Sequence, residues 1–125
     1  MSPKNDFPIV FEKLKSILKP FASGLTITAD TSTGYSLDGS YSEKWKKVIF
    51  FGAAQIKKNY VSFYLMPVYM FPDLLKGMSP ELKKHMQGKS CFNFKKIEPD
   101  LFKELAELTR KSVEQFRIAK EKGEI

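Results

Sequence analysis

Four kinds of side chain in this sequence are of types that could do chemistry, and they lie close together: His85, Lys89, Cys91 and the carboxylates that follow. His85 is the only histidine and is flanked by Lys84, so it has cationic neighbours and no evident carboxylate to orient it. That makes it a poor base or metal ligand, and it reads as a surface residue. Cys91 is the only cysteine and lies between Ser90 and Phe92, where a free thiol behaves as a small buried hydrophobe unless a base activates it. Gly88-Lys89-Ser90 has the ending of a phosphate-binding loop, but that pattern needs glycine at position 83 and the chain has Lys83. A helix is expected before this triplet and a strand after it, the reverse of the phosphate-loop order. Glu98, Asp100, Glu104 and Glu107 fall in the first turns of the last expected helix, where acids face the positive end of the helix dipole. With no zinc set and no calcium loop, neither a catalytic group nor a metal or cofactor site is expected.

Binding is the better prospect. Phe63 to Pro72 crowds aromatic, thioether and proline residues into a run that Pro67 and Pro72 must bend. Such a segment lines either a core or a cleft.

The elements that position these residues follow from periodicity. Asp6 is placed to cap a helix carrying Phe7, Val10, Phe11, Leu14, Ile17 and Leu18 on one face and ended by Pro20 and Gly24. Leu25, Ile27 and Ala29 alternate with polar residues as a half-buried strand does, and Thr33-Gly34 turns the chain into Tyr35-Ser36-Leu37. Asp38-Gly39-Ser40 reads as a loop. The central pair is expected at about Lys47–Ile56 and Tyr60–Met66, joined by Lys58-Asn59 with Asn59 at positive φ. In that register Ile56 faces Val61, Ala54 faces Phe63 and Gly52 faces Leu65, an apolar surface that needs a cover. The other side pairs Gln55 with Ser62, Ala53 with Tyr64 and Phe51 with Met66. Ser79-Pro80-Glu81 starts a helix through Gln87, and Ser90 to Lys95 forms a strand. Pro99 to about Lys120 is the clearest helix, with Leu101, Phe102, Leu105, Leu108, Val113 and Phe116 as its stripe, Lys103–Glu107 and Glu107–Lys111 as surface pairs, and a frayed tail beyond. Together these give one α+β domain over residues 1–125. It has two layers, an antiparallel sheet of four to six strands with terminal amphipathic helices on one face.

The mixed sheet face is therefore the candidate site. Ala53 is its floor, Tyr64 and Tyr69 its walls, and Gln55, Ser62 and Lys89 the groups that could orient an anionic or carbonyl-bearing ligand. Pro67 bends Tyr69 back towards the face, and Lys89 is placed there only by analogy with a strand entering the same sheet. A helix of the same chain or a second subunit covering this face is the alternative.

Read in order, Tyr35-Ser36-Leu37, Phe51-Gly52-Ala53, Lys58-Asn59-Tyr60-Val61-Ser62, Leu65-Met66-Pro67-Val68-Tyr69 and Met86-Gln87-Gly88-Lys89-Ser90-Cys91-Phe92-Asn93-Phe94, with the final helix, resemble the YdhG-like family of small bacterial domains. The resemblance spans nearly the whole chain and implies helices against an antiparallel sheet. One branch of that family is described as a frataxin-like iron chaperone, a role that draws on exposed carboxylates, whereas this chain is basic with scattered acids.

Composition narrows the partners. Hydrophobic residues make up 42% and charged residues 28%, the balance of a folded domain rather than a disordered one. No run is apolar enough for a membrane span, and Met1 to Asp6 leads into no signal-peptide core, so a cytoplasmic protein with no membrane partner is expected. The net charge is +7, yet of 21 basic residues only Arg110 and Arg117 are arginine, the residue best suited to bidentate contacts with bases and phosphates. Nucleic acid is thus an unexpected partner, and at most a weak one. The leading expectation is a non-enzymatic module that binds a small organic ligand or a protein segment on the open sheet face, as monomer or homodimer. An iron-handling chaperone is the alternative.

Overall fold

The first helix illustrates how the sequence builds this fold. In a computed structural model describing residues 6–125, α1 spans Phe7–Leu18 and buries all six residues of its apolar face. Asp6 precedes it, but its side chain makes no capping hydrogen bond. A 3-10 turn, Lys19–Gly24, leads into β1 (Thr26–Asp30). Then come β2 (Gly34–Ser42), β3 (Lys47–Ile56), β4 (Val61–Leu65), α2 (Met66–Met70), a 3-10 turn at Pro72–Leu75, α3 (Pro80–Lys83), β5 (Met86–Gln87), β6 (Cys91–Phe94) and α4 (Pro99–Glu121). The strands form one antiparallel six-stranded sheet in the order β1-β2-β3-β4-β6-β5. Among the described residues, no helix is long and apolar enough to cross a membrane.

The β3–β4 register is the one expected, with Gly52 opposite Leu65, Ala54 opposite Phe63 and Ile56 opposite Val61. Phe92 and Phe94 of β6 extend this apolar surface beside Phe63 and Val61. All of these residues except the partly buried Ile56 are buried. The helices form one layer over them, since α1, α2 and α3 each pack on α4. Leu18 of α1 reaches Gly52, while Phe116 and Phe102 of α4 meet Phe51 and Phe94 edge-on at ring-centre distances of 5.6 and 4.9 Å. The two-layer α+β architecture with an antiparallel sheet is therefore present.

Several local expectations are corrected. Phe51 does not sit on the mixed face opposite Met66: Leu37 pairs with Gly52 and Asp38 with Phe50, so a bulge leaves Phe51 without a partner. That extra residue swings Phe51 under α4, where it is fully buried. Met66 opens α2 rather than closing β4, because Pro67 fits the first turn of a helix, where a missing N–H costs nothing. Asp38-Gly39-Ser40 lies within β2, and Gly39 serves packing instead of a turn. A Cβ there would lie 3.2 Å from the Ile49 carbonyl and 3.5 Å from the Phe116 ring. The Lys58-Asn59 turn forms without positive φ at Asn59. Ile27 is 49% exposed, since β1 is an edge strand broken by a bulge.

The second half of the chain differs more. The expected helix to Gln87 stops at Lys83, and Met86-Gln87 pairs with β6, so Gly88-Lys89-Ser90 is a hairpin turn with Gly88 at φ +78°. On α4, Glu107 pairs with Arg110 rather than with Lys103 or Lys111, and Arg117 is held by Glu114 and Glu121. The guanidinium forks match a carboxylate where an ammonium does not. Beyond α4 the backbone closes on itself: Gly123 (φ +73°) and Glu124 donate backbone N–H groups to the carbonyls of Lys120 (3.1 Å) and Ala119 (2.8 Å). This is the Schellman closure that a glycine just past a helix permits.

Glu104 was expected only to face the helix dipole, but it clamps the start of α3. Its carboxylate accepts the Ser79 N–H at 2.8 Å and the Ser79 Oγ–H at 2.6 Å, while Ser79 Oγ accepts the Leu82 N–H at 3.1 Å. Glu104→Ala leaves these part-buried donors without their acceptor. It is expected to cost about 2 kcal/mol in urea unfolding, against under about 0.5 kcal/mol for the exposed Lys103→Ala.

Candidate functional site

The open sheet face is built from two rows that cross the strands. Gln55, Ser62 and Asn93 form one, and Ser36, Ala53, Tyr64, Cys91 and Gln87 the other. Ala53 and Ser62 are buried, whereas Gln55 and Tyr64 are half-buried. The small side chains lie low between larger ones, as a floor would.

The polar groups of this face, however, bond mainly to one another. Asn93 Oδ1 accepts from Ser62 Oγ–H at 2.7 Å and from the Cys91 thiol at 3.3 Å, and Asn93 Nδ2 donates to Gln87 Oε1 at 2.7 Å. Burial pushes the Cys91 thiol up from its ordinary pKa, with hydrogen bonding to Ser62 and Tyr64 acting in the opposite direction, so the group stays in its unreactive form. Ser62 and Asn93 thus tie β4 to β6 rather than aiming at a ligand.

His85 requires a correction. Its Nε2 lies 3.0 Å from the Glu98 carboxylate, its Nδ1 lies 2.8 Å from the Asn93 carbonyl, and its ring stacks on Phe94 with centres 4.5 Å apart. The Asn93 N–H returns a bond to the His85 carbonyl at 2.8 Å. A carboxylate does orient this histidine, brought from the residue before α4. The arrangement pins α3, β6 and α4 together, and both ring nitrogens are engaged in it.

Tyr69 and Lys89 belong elsewhere. They line a groove of about 500 Å³ with Lys44, Trp45, Met70, Phe71, Pro72 and Glu124, and none of Ala53, Gln55, Ser62 or Tyr64 takes part. The hairpin turn that carries Lys89 is fastened to β4 by the Leu65 N–H, which donates to the Ser90 carbonyl at 3.0 Å. Across the groove, the β2–β3 turn is fixed by Ser42, whose Oγ accepts the Trp45 N–H at 3.0 Å and whose carbonyl accepts the Lys46 N–H at 2.8 Å, with Lys46 at φ +59°. Trp45 and Tyr69 are 52% and 54% exposed. Each has an ammonium near its ring: Lys44 Nζ is 5.4 Å from the Trp45 centre, and Lys89 Nζ is 5.9 Å from that of Tyr69.

The sequence-derived set is therefore split. Ala53, Gln55, Ser62 and Tyr64 share the open face, with Lys57 Nζ 5.9 Å from the Tyr64 ring centre, while Tyr69 and Lys89 share the groove with Trp45. Trp45 was missed as a candidate, although a lone tryptophan set among Lys44, Lys46 and Lys47, outside any alternating pattern, was a signal available in the sequence. No family model, curated protein or solved structure matches this chain.

Proposed function

We propose that this protein is a non-enzymatic binding module whose ligand is a small organic anion with a planar ring, taken in the groove between Trp45 and Tyr69. The observation that carries this reading is the pairing of two half-exposed rings with two lysines in one concave site. The two ring faces offer stacking, and the ammonium groups offer attraction to a negative group. The volume lies within the range of small-ligand pockets. Cys91 and His85, the side chains best suited to catalysis, are both engaged in structural hydrogen bonds, which supports binding over turnover.

The iron-handling alternative draws no support from the geometry. Among the described residues, no three histidine, cysteine, aspartate or glutamate side chains gather as a metal site would require. The two arginines are already held by glutamates of their own helix, which does not favour nucleic-acid readout.

Trp45 is the only tryptophan, so tryptophan emission, excited where tyrosine does not absorb, reports on this groove. Titration with 1-naphthoate is expected to quench it with saturation in the sub-millimolar range, and cyclohexanecarboxylate, which has no planar ring, to bind about tenfold more weakly. Lys89→Gln and Tyr69→Ala are each expected to weaken naphthoate binding about fivefold, the size of one cation–π or stacking contact. Equal affinity for both carboxylates, or indifference to both substitutions, would overturn the reading.

A further inference from the structure

The groove contains one charge of the opposite sign. Glu124 lines it together with Lys44 and Lys89, and its backbone is fixed there by the hydrogen bond to Ala119 that closes α4. A carboxylate only accepts hydrogen bonds, so Glu124 adds nothing for a simple aromatic carboxylate held by the lysines but can pair with a ring edge that presents N–H donors. The lining therefore asks for a ligand with two different ends. One end is anionic and lies towards the lysines. The other is a ring edge that donates N–H groups to Glu124, with the flat ring between them against Trp45 and Tyr69.

Building on the planar-anion reading, we infer that the ligand is a nucleoside phosphate whose base presents two adjacent N–H donors, as guanine does. Two parallel N–H groups meet the two carboxylate oxygens as a bidentate pair, the geometry that makes carboxylate recognition selective. Adenine offers an amino group beside a ring acceptor. That acceptor would face the carboxylate without a hydrogen, so adenine forms one bond where guanine forms two. Stacking alone does not distinguish the bases, since each has a π-face. The discrimination must come from Glu124.

The test is titration of Trp45 fluorescence with GMP, AMP and 1-naphthoate at one ionic strength, in the unmodified protein and in Glu124→Gln. GMP is expected to bind about tenfold more tightly than AMP, in line with the discrimination a bidentate base contact provides. Glu124→Gln is expected to bring the two within about twofold, by weakening GMP and strengthening AMP, because the amide keeps the volume but replaces one acceptor with a donor and so matches the adenine edge. Equal binding of GMP and AMP, or a preference that survives Glu124→Gln, would overturn the inference while naphthoate binding left the planar-anion reading in place. Failure of all three ligands to quench would overturn both.

Discussion

Phe51→Ala is expected to destabilise the protein by about 3 to 5 kcal/mol, the cost of a large cavity in a close-packed core and the same range expected for Phe63→Ala. Both rings are fully buried, Phe63 at the centre of the apolar sheet face and Phe51 against Phe116 of α4. Phe63 reaches the core by simple alternation along β4. Phe51 reaches it only because the β2–β3 bulge breaks alternation at that residue. The two substitutions therefore test different things. A chain of this size has a total stability of about 5 to 15 kcal/mol, so either loss should move the urea midpoint far enough for an unambiguous comparison. If Phe51→Ala cost under about 1 kcal/mol while Phe63→Ala cost several, Phe51 would lie on the open face and the bulge would be misplaced.

The second large effect is expected next to it. A Cβ on Gly52 would lie 2.7 Å from the Tyr64 carbonyl oxygen, with Leu65 Cδ2 at 3.4 Å and Leu18 Cδ2 at 3.5 Å. The nearest of these atoms is backbone of the paired strand, so it cannot swing away as a side-chain end would. Gly52→Ala should push β3 from β4 or lift α1 from the sheet, at about 3 kcal/mol, and Gly52→Val should cost more. The space above Gly52 is thus filled by α1 and has no room for a ligand. Gly24→Ala is the control: nothing lies within 4 Å of a Cβ there, and its expected effect is within about 0.5 kcal/mol. Thermal unfolding of the three variants followed by circular dichroism checks the order. A Gly52→Ala melt matching that of Gly24→Ala would show that the close approach of β4 and α1 at this point is absent.

Much of this structure is legible in the sequence because it depends on near neighbours. The apolar face of α1, the β3–β4 register and the start of α3 at Ser79-Pro80 follow from periodicity, turn length and capping, all of which act over a few residues. The closure of α4 was equally accessible. Lys122-Gly123-Glu124 has its glycine where a helix closure needs positive φ.

The candidate site was only half legible. Tyr69 and Lys89 were singled out for their chemistry, yet they were assigned to the mixed sheet face with Tyr64 and Gln55. Nothing local told them apart, because Pro67 starting a helix and Pro67 kinking a strand look alike in sequence. Trp45 joins Tyr69 across 23 intervening residues and His85 reaches Glu98 across a hairpin; neither meeting leaves a spacing that a sequence reading can use.

By itself, then, the sequence determined the class of fold, most but not all residues of the apolar layer and the one sheet register set by a short turn. Those depend on hydrophobic pattern and local backbone preference. Tertiary structure alone decided that Phe51 turns inward, that Asn93 and His85 use their polar groups to hold strands and helices together, and that Trp45, Tyr69, Lys44, Lys89 and Glu124 share one groove. A bulge, a hydrogen-bond network and a cleft each exist only once distant segments are packed against one another, and their free energy is a property of that packing rather than of any one segment.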